Sequence, residues 1–281
     1  FNMKTNKVWF ITGASKGMGL SLVKKLIEKG YSVAATSRKS QHLIDAVGHF
    51  DEQQFLPLEV DLTSEQSIRE AIERTVAQFG KIDVLVNNAG YGIGGAVEEL
   101  SQKEIKDSFD INVMAVIKTM QSAMPYFRRQ RSGHIINISS IAGFAPGTGW
   151  AMYPATKYAV TGLSEVMAED VKEFGVKVTV VAPGAFRPEI LEDNSLGLAE
   201  KKIDRYTAIT ASHEKYAAMK GTQIGNPEKL AQVFIDLTEN PNPPVRLYLG
   251  SDAYKRATEK IKLLSEELES NKNISYSTDF N

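Results

Sequence analysis

Seven short apolar runs, rich in β-branched residues, alternate with amphipathic segments and constrain the fold of this chain more than any other feature. The runs cover residues 7–12, 31–37, 54–61, 82–88, 133–140, 176–183 and 244–250. Most are almost continuously apolar, as expected of parallel strands that are covered on both faces. Repeated strand–helix–strand units favour right-handed crossovers. The sequence therefore predicts a doubly wound α/β fold, in which a seven-stranded, mostly parallel sheet carries helices on both faces.

Two segments interrupt this alternation. Residues 187–226 are too long for a simple connection and show weak helical patterning, which favours a lid insertion over a site. Residues 251–281 contain an amphipathic helix, which packs on the body or forms a subunit contact, and we favour packing. Its apolar stripe consists of Ala253, Ala257, Ile261, Leu264 and Leu268. No linker divides the 281 residues, so we expect one domain, 1–281.

Helix-end signals mark the segment after the third strand. Thr63 and Gln66 have the spacing of a capping box, in which each side chain bonds a free backbone N–H group of the other residue. Gly80 follows the last apolar residue of the segment, where a glycine commonly ends a helix. The sequence therefore predicts a helix between Thr63 and Gly80.

Composition excludes several classes of function. The net charge of −1 offers no basic surface for nucleic acid or an anionic membrane, and the chain has no cysteine for disulfides or thiolate chemistry. None of the four histidines has metal-ligand spacing, and no G-x-S-x-G elbow supports a serine hydrolase. No apolar run approaches the roughly 20 residues of a membrane span, and the first run leads directly into a glycine loop. We expect a cytoplasmic protein without a metal.

The glycine loop follows the first strand and opens a helix. Gly13, Gly17 and Gly19 stand in a G-x-x-x-G-x-G spacing. Such a loop exposes backbone N–H groups and a helix N-terminus, which together suit a pyrophosphate. A glycine-rich turn that merely starts a helix is the simpler alternative.

The end of the second strand indicates which nucleotide would bind. A carboxylate there would favour an unmodified adenosine ribose, and a cation would favour a 2′-phosphate. The sequence offers Ser37, Arg38 and Lys39 and no acid, and Lys16 in the glycine loop could reach the same phosphate. These residues predict a preference for NADP(H) over NAD(H).

Four motifs in one order carry a resemblance to a known family. They are T-G-x-x-x-G-x-G from Thr12, N-N-A-G at 87–90, Tyr153-x-x-x-Lys157 and Pro183–Gly184. The chain resembles the single-domain short-chain dehydrogenase/reductases from residue 8 to about 186, which implies a Rossmann-type fold. The tail from 247 onward resembles, more loosely, the branch called 17β-hydroxysteroid-dehydrogenase-like.

The resemblance implies a catalytic tetrad of Asn112, Ser140, Tyr153 and Lys157. Tyr153 and Lys157 share one helix face, and the Lys157 ammonium together with an oxidised nicotinamide would lower the pKa of the phenol. By the resemblance, Tyr153 protonates the substrate carbonyl oxygen, and Asn112 holds a water chain to Lys157. By the same resemblance Ser140 would bond this oxygen, because its interval of 13 residues to Tyr153 is similar to the family's and selects it over Ser139.

The resemblance also implies cofactor and substrate contacts. The expected cofactor-binding residues are Gly13, Ser15, Lys16, Gly17, Met18, Gly19, Ser37, Arg38, Asp61, Leu62, Asn88, Ala89, Gly90, Tyr153, Lys157, Pro183, Gly184 and Phe186. Phe144, Trp150 and Phe186 would form an apolar substrate wall, which favours a medium or bulky substrate. One departure is Pro188, which stands where the family often has a threonine that hydrogen-bonds the nicotinamide carboxamide. Proline has neither hydroxyl nor N–H, so this anchor is predicted to be missing or supplied by backbone.

The predicted function is an NADP(H)-dependent carbonyl reductase or alcohol dehydrogenase acting on a ketone, an aldehyde or a secondary alcohol. An epimerase or dehydratase of the same superfamily and a non-catalytic nucleotide sensor are the alternatives. The resemblance further implies a dimer or tetramer that pairs through the helices after the fourth and fifth strands.

Overall fold

The computed structural model describes residues 7–187 and 196–280, and its centre is one seven-stranded sheet. The strands of the chain are β1 (Val8–Ile11), β2 (Ser32–Ser37), β3 (Phe55–Glu59), β4 (Val84–Asn87), β5 (Gly92–Gly94), β6 (Gly133–Ile138), β7 (Val176–Pro183), β8 (Leu196–Leu198) and β9 (Arg246–Leu249). The large sheet has the order β3-β2-β1-β4-β6-β7-β9, and every pairing in it is parallel. The predicted Rossmann-type sheet is confirmed. Its order reverses between β1 and β4, where such folds bind ligands at the carboxyl ends of the strands.

Helices cover both faces of the sheet. They are α1 (Gly17–Glu28), α2 (Ser40–Val47), α3 (Glu65–Phe79), α4 (Gln102–Phe109), α5 (Ala115–Gln130), α6 (Met152–Asp170), α7 (Thr207–Ala218), α8 (Pro227–Glu239), α9 (Ser251–Ser270) and α10 (Lys272–Tyr276). A π-helical turn, Asp110–Met114, joins α4 to α5. Within the described ranges, no helix combines the length and the apolar character needed to cross a membrane.

Two apolar layers enclose the sheet because successive side chains of a strand point to opposite faces. Trp9 of β1 is fully buried with Leu22 of α1 and Phe234 of α8. Its neighbour Phe10 is buried on the other face, together with Phe127 of α5. Continuous burial along β1 explains why its sequence is apolar without alternation.

The start of α3 differs from the prediction. Ser64 caps this helix, since its hydroxyl accepts the N–H of Ser67 at 3.2 Å. Thr63 instead donates its N–H and its hydroxyl to one oxygen of Asp61, at 2.8 and 2.7 Å. The predicted Thr63–Gln66 capping box was therefore wrong, because the Thr63 hydroxyl is hydrogen-bonded to the Asp61 carboxylate and Ser64 caps the helix instead. The predicted stop at Gly80 is confirmed, with φ at +80°.

The two segments that interrupt the alternation also have defined structure where they are described. In the 187–226 insertion, β8 pairs in parallel with β5, and α7 follows. In the 251–281 tail, α9 packs on the body through Ala253 and Ala257, which lie in a small cluster with Ile141. The predicted packing of this helix holds only for these first two turns, because its later apolar residues are exposed.

Candidate active site

The loops after β1 and β4 are joined by side chain–backbone hydrogen bonds. The Thr12 hydroxyl accepts the N–H groups of Asn88 and Ala89 at 3.0 and 3.1 Å. The Asn88 amide donates to the carbonyl oxygens of Thr12 and Gly13 at 3.0 and 2.9 Å. A Cβ on Gly13 would lie 2.7 Å from Ala89 Cα, and one on Gly19 would lie 2.5 Å from Asn88 Nδ2. Both glycines therefore serve the close packing of these loops.

The glycine loop presents the N-terminus of α1 at this point. The helix begins at Gly17, whose φ of +56° suits glycine, and the side chain of its N-cap residue Lys16 makes no capping hydrogen bond. The first-turn N–H groups have no partner within a helix, so this end attracts an anion. Lys16 at its start is exposed, and so is Arg38 after β2, whereas Ser37 is buried.

The loop after β3 contributes Asp61 and Leu62. Hydrogen bonds from the Thr63 hydroxyl and backbone hold the pKa of Asp61 below its usual range. Leu62 is half-buried and lines a small pocket with Thr12 and Ala89. The side chain of Leu62 therefore lies beside the joined loops, where the resemblance expects the adenine.

Lys157 of α6 brings a buried ammonium to the end of β6. Its Nζ donates to the carbonyl oxygen of Ile138 at 2.9 Å and lies 5.7 Å from the centroid of the Tyr153 ring. Burial lowers the pKa of Lys157 from 10.5 to about 8. A Cβ on Gly90 would lie 3.3 Å from this Nζ and 3.0 Å from the Asn112 amide oxygen. A side chain at position 90 would therefore be crowded by two predicted catalytic side chains, Lys157 and Asn112.

Tyr153 and Ser140 face one another. Burial raises the pKa of the Tyr153 phenol, and the Ser140 hydroxyl, which interacts with it, acts in the opposite direction. The Ser140 oxygen also accepts the N–H of Ala142 at 3.1 Å. Ser139 points elsewhere, because its hydroxyl bonds the Lys157 carbonyl oxygen at 2.9 Å inside the protein. The structure thus brings Ser140, and not Ser139, to the tyrosine.

Asn112 is fully buried in the π-helical turn and ties three elements together. Its amide donates to the Tyr91 carbonyl oxygen at 2.7 Å and accepts the Tyr91 N–H at 3.0 Å. It also donates to the Thr156 hydroxyl at 3.1 Å, and Thr156 in turn donates to the Tyr153 carbonyl oxygen at 2.8 Å. Asn112 is therefore connected to the helix that carries the tyrosine and the lysine.

The end of β7 is held by an acid from the tail. Oδ2 of Asp252, in the first turn of α9, accepts the N–H of Ala185 at 2.8 Å, and Oδ1 is buried without a hydrogen-bond partner among the described residues. A Cβ on Gly184 would lie 2.1 Å from that Oδ1. Asp252 therefore fixes the Pro183–Gly184 segment and requires glycine there.

The expected substrate wall is only partly assembled. Trp150 is buried, and its ring meets His213 and Tyr216 of α7 edge-on, each at 5.1 Å between centroids. Phe186 is half-buried against the core near the end of β7. Pro188 lies outside the described residues.

Phe144 makes its ring contacts with β9. Its ring packs against Tyr248 at 5.5 Å between centroids, and the Arg246 guanidinium lies 5.2 Å from its centre. The ring also packs against the tail cluster, and its place in the substrate wall stays a prediction.

The insertion lies against the catalytic side chains. The position of a Cβ on Gly92 is 2.4 Å from Leu196 Cδ2 and 3.3 Å from the Tyr153 ring, so Leu196 borders the tyrosine. Buried Glu99 anchors the following segment, since its carboxylate accepts the N–H groups of Ala96 and Ile203, each at 2.7 Å. These hydrogen bonds hold the pKa of Glu99 below its usual range. The described part of the insertion thus reaches the surroundings of the tyrosine through Leu196, and its role as a lid stays a prediction.

Sequence reasoning missed several residues that organise this site: Thr12, Tyr91, Glu99, Thr156, His213 and Asp252. Thr12 and Thr156 lie inside the quoted motifs, so their short polar side chains beside functional residues were an available signal. Glu99 and Asp252 are common acids in polar sequence, and only long-range contacts distinguish them.

Comparison with known proteins agrees with the fold. Residues 7–198 match the family described as short chain dehydrogenase. The oxidoreductase BOA17 of Botryotinia fuckeliana is 33% identical over 259 residues, covering 92% of this chain and 94% of that protein. The 3-ketodihydrosphingosine reductase of Bacteroides thetaiotaomicron is 34% identical over 244 residues, covering 87% and 88%.

A solved structure extends the similarity to the whole fold. The crystal structure of a short-chain dehydrogenase from Streptomyces avermitilis has a TM-score of 0.91 at 32% identity, covering 98% of this chain and 100% of that one. Its coverage includes the region of the tail that the family match leaves out. The chain therefore belongs to the short-chain dehydrogenase family of oxidoreductases.

Proposed function

We propose that this protein is an NADP(H)-dependent oxidoreductase that interconverts a ketone or aldehyde and the corresponding alcohol, with Tyr153 as the general acid/base. The observation that carries the proposal is that two predicted catalytic side chains lie close to the phenol of Tyr153. The Ser140 hydroxyl interacts with the Tyr153 side chain, and the buried Lys157 ammonium lies 5.7 Å from its ring centre.

The chain's own groups fit a phosphorylated dinucleotide. The uncapped N-terminus of α1 suits the pyrophosphate, and exposed Lys16 and Arg38 would bind the 2′-phosphate. The loop 88–90 and the Pro183–Gly184 segment would hold the adenosine and nicotinamide ends. When bound, the cofactor supplies or accepts the hydride.

Each catalytic side chain then has a separate task. Burial keeps the Tyr153 phenol protonated, which is the form that donates to a carbonyl oxygen during reduction. Ser140 would hydrogen-bond the same substrate oxygen. The Lys157 ammonium would favour the phenolate that remains, and Asn112 would hold α6 in place through Thr156.

The lining of the site favours an apolar substrate. Leu196 borders the tyrosine, and buried Trp150 supports the insertion from the opposite loop. A medium or bulky carbonyl compound fits such surroundings. A relative named for the reduction of a 3-keto compound supports this substrate class, and the resemblance of the tail to the 17β-hydroxysteroid-dehydrogenase-like branch is compatible with it.

The decisive experiment compares NADPH and NADH consumption with ketones and aldehydes graded in bulk. We expect turnover with NADPH that depends on substrate size. Tyr153→Phe should abolish turnover while NADPH binding survives. Tyr158→Phe, the same change at an exposed position of the same helix, is the matched control and should retain activity.

Other outcomes would redirect the proposal. Retained turnover in Tyr153→Phe would exclude the tyrosine mechanism. NADPH binding without turnover of any substrate would favour a nucleotide sensor, and conversion of an alcohol with no net change in cofactor would favour an epimerase or dehydratase.

A further inference from the structure

The outer part of α9 exposes an apolar stripe. Ala253 and Ala257 are buried, but Ile261, Leu264 and Leu268 are 53%, 40% and 72% exposed. At 100° per residue, these five positions fall within about 80° of one another around the helix. The face that packs on the body through its first two turns therefore continues, equally apolar, beyond the body.

Such a helix needs a partner for the continuing face. Most helical stability in proteins comes from packing an apolar face, not from the propensity of the segment alone. The buried residues of α9 are Ala253 and Ala257, both near its start. The remaining three turns carry two leucines and an isoleucine in one row, and charged side chains surround them.

The charges of α9 are divided along its length. Before Leu264 the helix carries the bases Lys255, Arg256, Lys260 and Lys262 against the acids Asp252 and Glu259. Its second half carries Glu266, Glu267 and Glu269. Pairs within the helix, Lys255–Glu259 and Lys262–Glu266, are long at 4.0 and 3.9 Å and exposed, so they contribute little. A helix of this kind is complementary to a second one that runs in the opposite direction.

We propose that α9 pairs with the α9 of a second copy of this chain, antiparallel about a two-fold axis between Leu264 and Ser265. This axis places Ile261 of each copy opposite Leu268 of the other. The two Leu264 side chains meet beside the axis. The contact is isologous, because the same stripe is used on both copies.

The same two-fold axis also brings side chains of opposite charge together. On one flank of the stripe, Lys260 of one copy then lies close to Glu267 of the other. Lys262 and Glu269 share the other flank, farther from the contact. A parallel arrangement would instead place like charges together. This surface is separate from α5 and α6, through which the resemblance implies pairing, so the use of both surfaces would give a tetramer.

The absence of cysteine from the chain makes a direct test possible. Leu264→Cys places a single thiol beside the proposed axis, and mild oxidation should link two copies covalently on a non-reducing gel. Glu266→Cys is the matched control, since it lies on the opposite face of the same turns. A thermal melt of both reduced variants establishes that they are folded. No excess of covalent dimer from Leu264→Cys over Glu266→Cys would overturn the proposal.

A charge exchange tests the direction of pairing and the identity of the partner. The variants Lys260→Glu/Lys262→Glu and Glu267→Lys/Glu269→Lys should each lose the contact, because each places like charges of the two copies next to one another across the axis. Carrying Leu264→Cys, each should give little crosslinked product alone, and their mixture should give the mixed dimer. If the mixture does not recover crosslinking, pairing with a second copy is contradicted. The apolar stripe would then bind a different protein or a membrane surface.

Discussion

The side-chain nitrogen of Lys157 lies 2.9 Å from the carbonyl oxygen of Ile138, at the end of the strand that leads to Ser140. Burial lowers the pKa of this lysine to about 8, because an enclosed ammonium loses hydration that one carbonyl only partly replaces. The cofactor-free protein therefore holds a group whose charge changes near physiological pH beside its tyrosine.

This shift predicts a specific dependence of stability on pH. Below pH 8 the folded protein must hold a buried charge, and this penalty disappears as pH rises from about 8 toward 10.5. Relative to Lys157→Met, the wild type should gain about 2 kcal/mol in free energy of unfolding between roughly pH 7.5 and pH 9.5. Urea unfolding of the cofactor-free proteins measures this difference. A difference that stays constant with pH would show that the ammonium is not desolvated.

The raised pKa of Tyr153 does not disturb this measurement. Its folded-state pKa lies above the ordinary value of 10.0, so it contributes stability that is lost only as pH rises above that range. The pH interval chosen for Lys157 lies below it.

The core of the fold was predictable because its signals are local. Each buried parallel strand is an apolar run, and Gly80 stops its helix by a conformation that glycine adopts easily. β5 and β8 were not predictable, since each has three residues and exists only through pairing with the other. Ser64 and Thr63 are equally good caps in sequence, and only the position of the Asp61 carboxylate decides between them.

The same distinction between local signals and long-range contacts applies to the candidate site. Tyr153 and Lys157 come together through the period of one helix, so their spacing was sufficient. The contact of Phe144 with Tyr248 was not predictable, because it joins residues about a hundred positions apart. Asp252 was missed for the same reason, as it meets Ala185 only after the tail folds back on the end of β7.

Glu99 should control how firmly the insertion is attached. Glu99→Gln replaces one acceptor with an amide donor that faces a backbone N–H, so about 1–3 kcal/mol of local stability should be lost. Hydrogen exchange of residues 196–218 should become roughly 10- to 100-fold faster. Glu98→Gln is the control, since Glu98 is exposed, its carboxylate accepts the Tyr206 hydroxyl, and Lys201 bonds its backbone oxygen, which the substitution leaves in place. Equal exchange in both variants would remove the role assigned to Glu99.

Acid should have the same effect as this substitution. Backbone hydrogen bonds hold the pKa of Glu99 below its ordinary value, so its stabilising contribution is complete above that value. The contribution is lost as pH falls through the folded-state pKa. We expect the segment around Ile203 to lose protection in this acidic range in the wild type and to change less in Glu99→Gln, after correction for intrinsic exchange rates.

Gly184 and Asp252 should be energetically coupled. Gly184→Ala would place a Cβ 2.1 Å from Asp252 Oδ1, and Asp252→Ala would leave the Ala185 N–H without its acceptor. Each variant should weaken NADPH binding by displacing the end of β7. The double variant should lose less than the sum of the two, by roughly 0.5–3 kcal/mol, because removal of the carboxylate also removes the clash. Additive losses in binding titrations would show that the two residues act independently.

The cofactor preference should depend on Arg38. Arg38 is exposed directly after β2, where its guanidinium is available to a 2′-phosphate, and the nearby Glu59 carboxylate accepts the Ser40 N–H at 3.4 Å. Arg38→Asp should shift the NADPH/NADH ratio of kcat/KM toward NADH by about 10- to 150-fold, the equivalent of one lost charge-assisted hydrogen bond. Lys39→Asp makes a nearby charge change of similar size and controls for the general field of the surface. An equal shift in both variants would mean that net charge alone sets the preference. A shift found in Lys16→Asp but not in Arg38→Asp would assign the phosphate to the glycine loop.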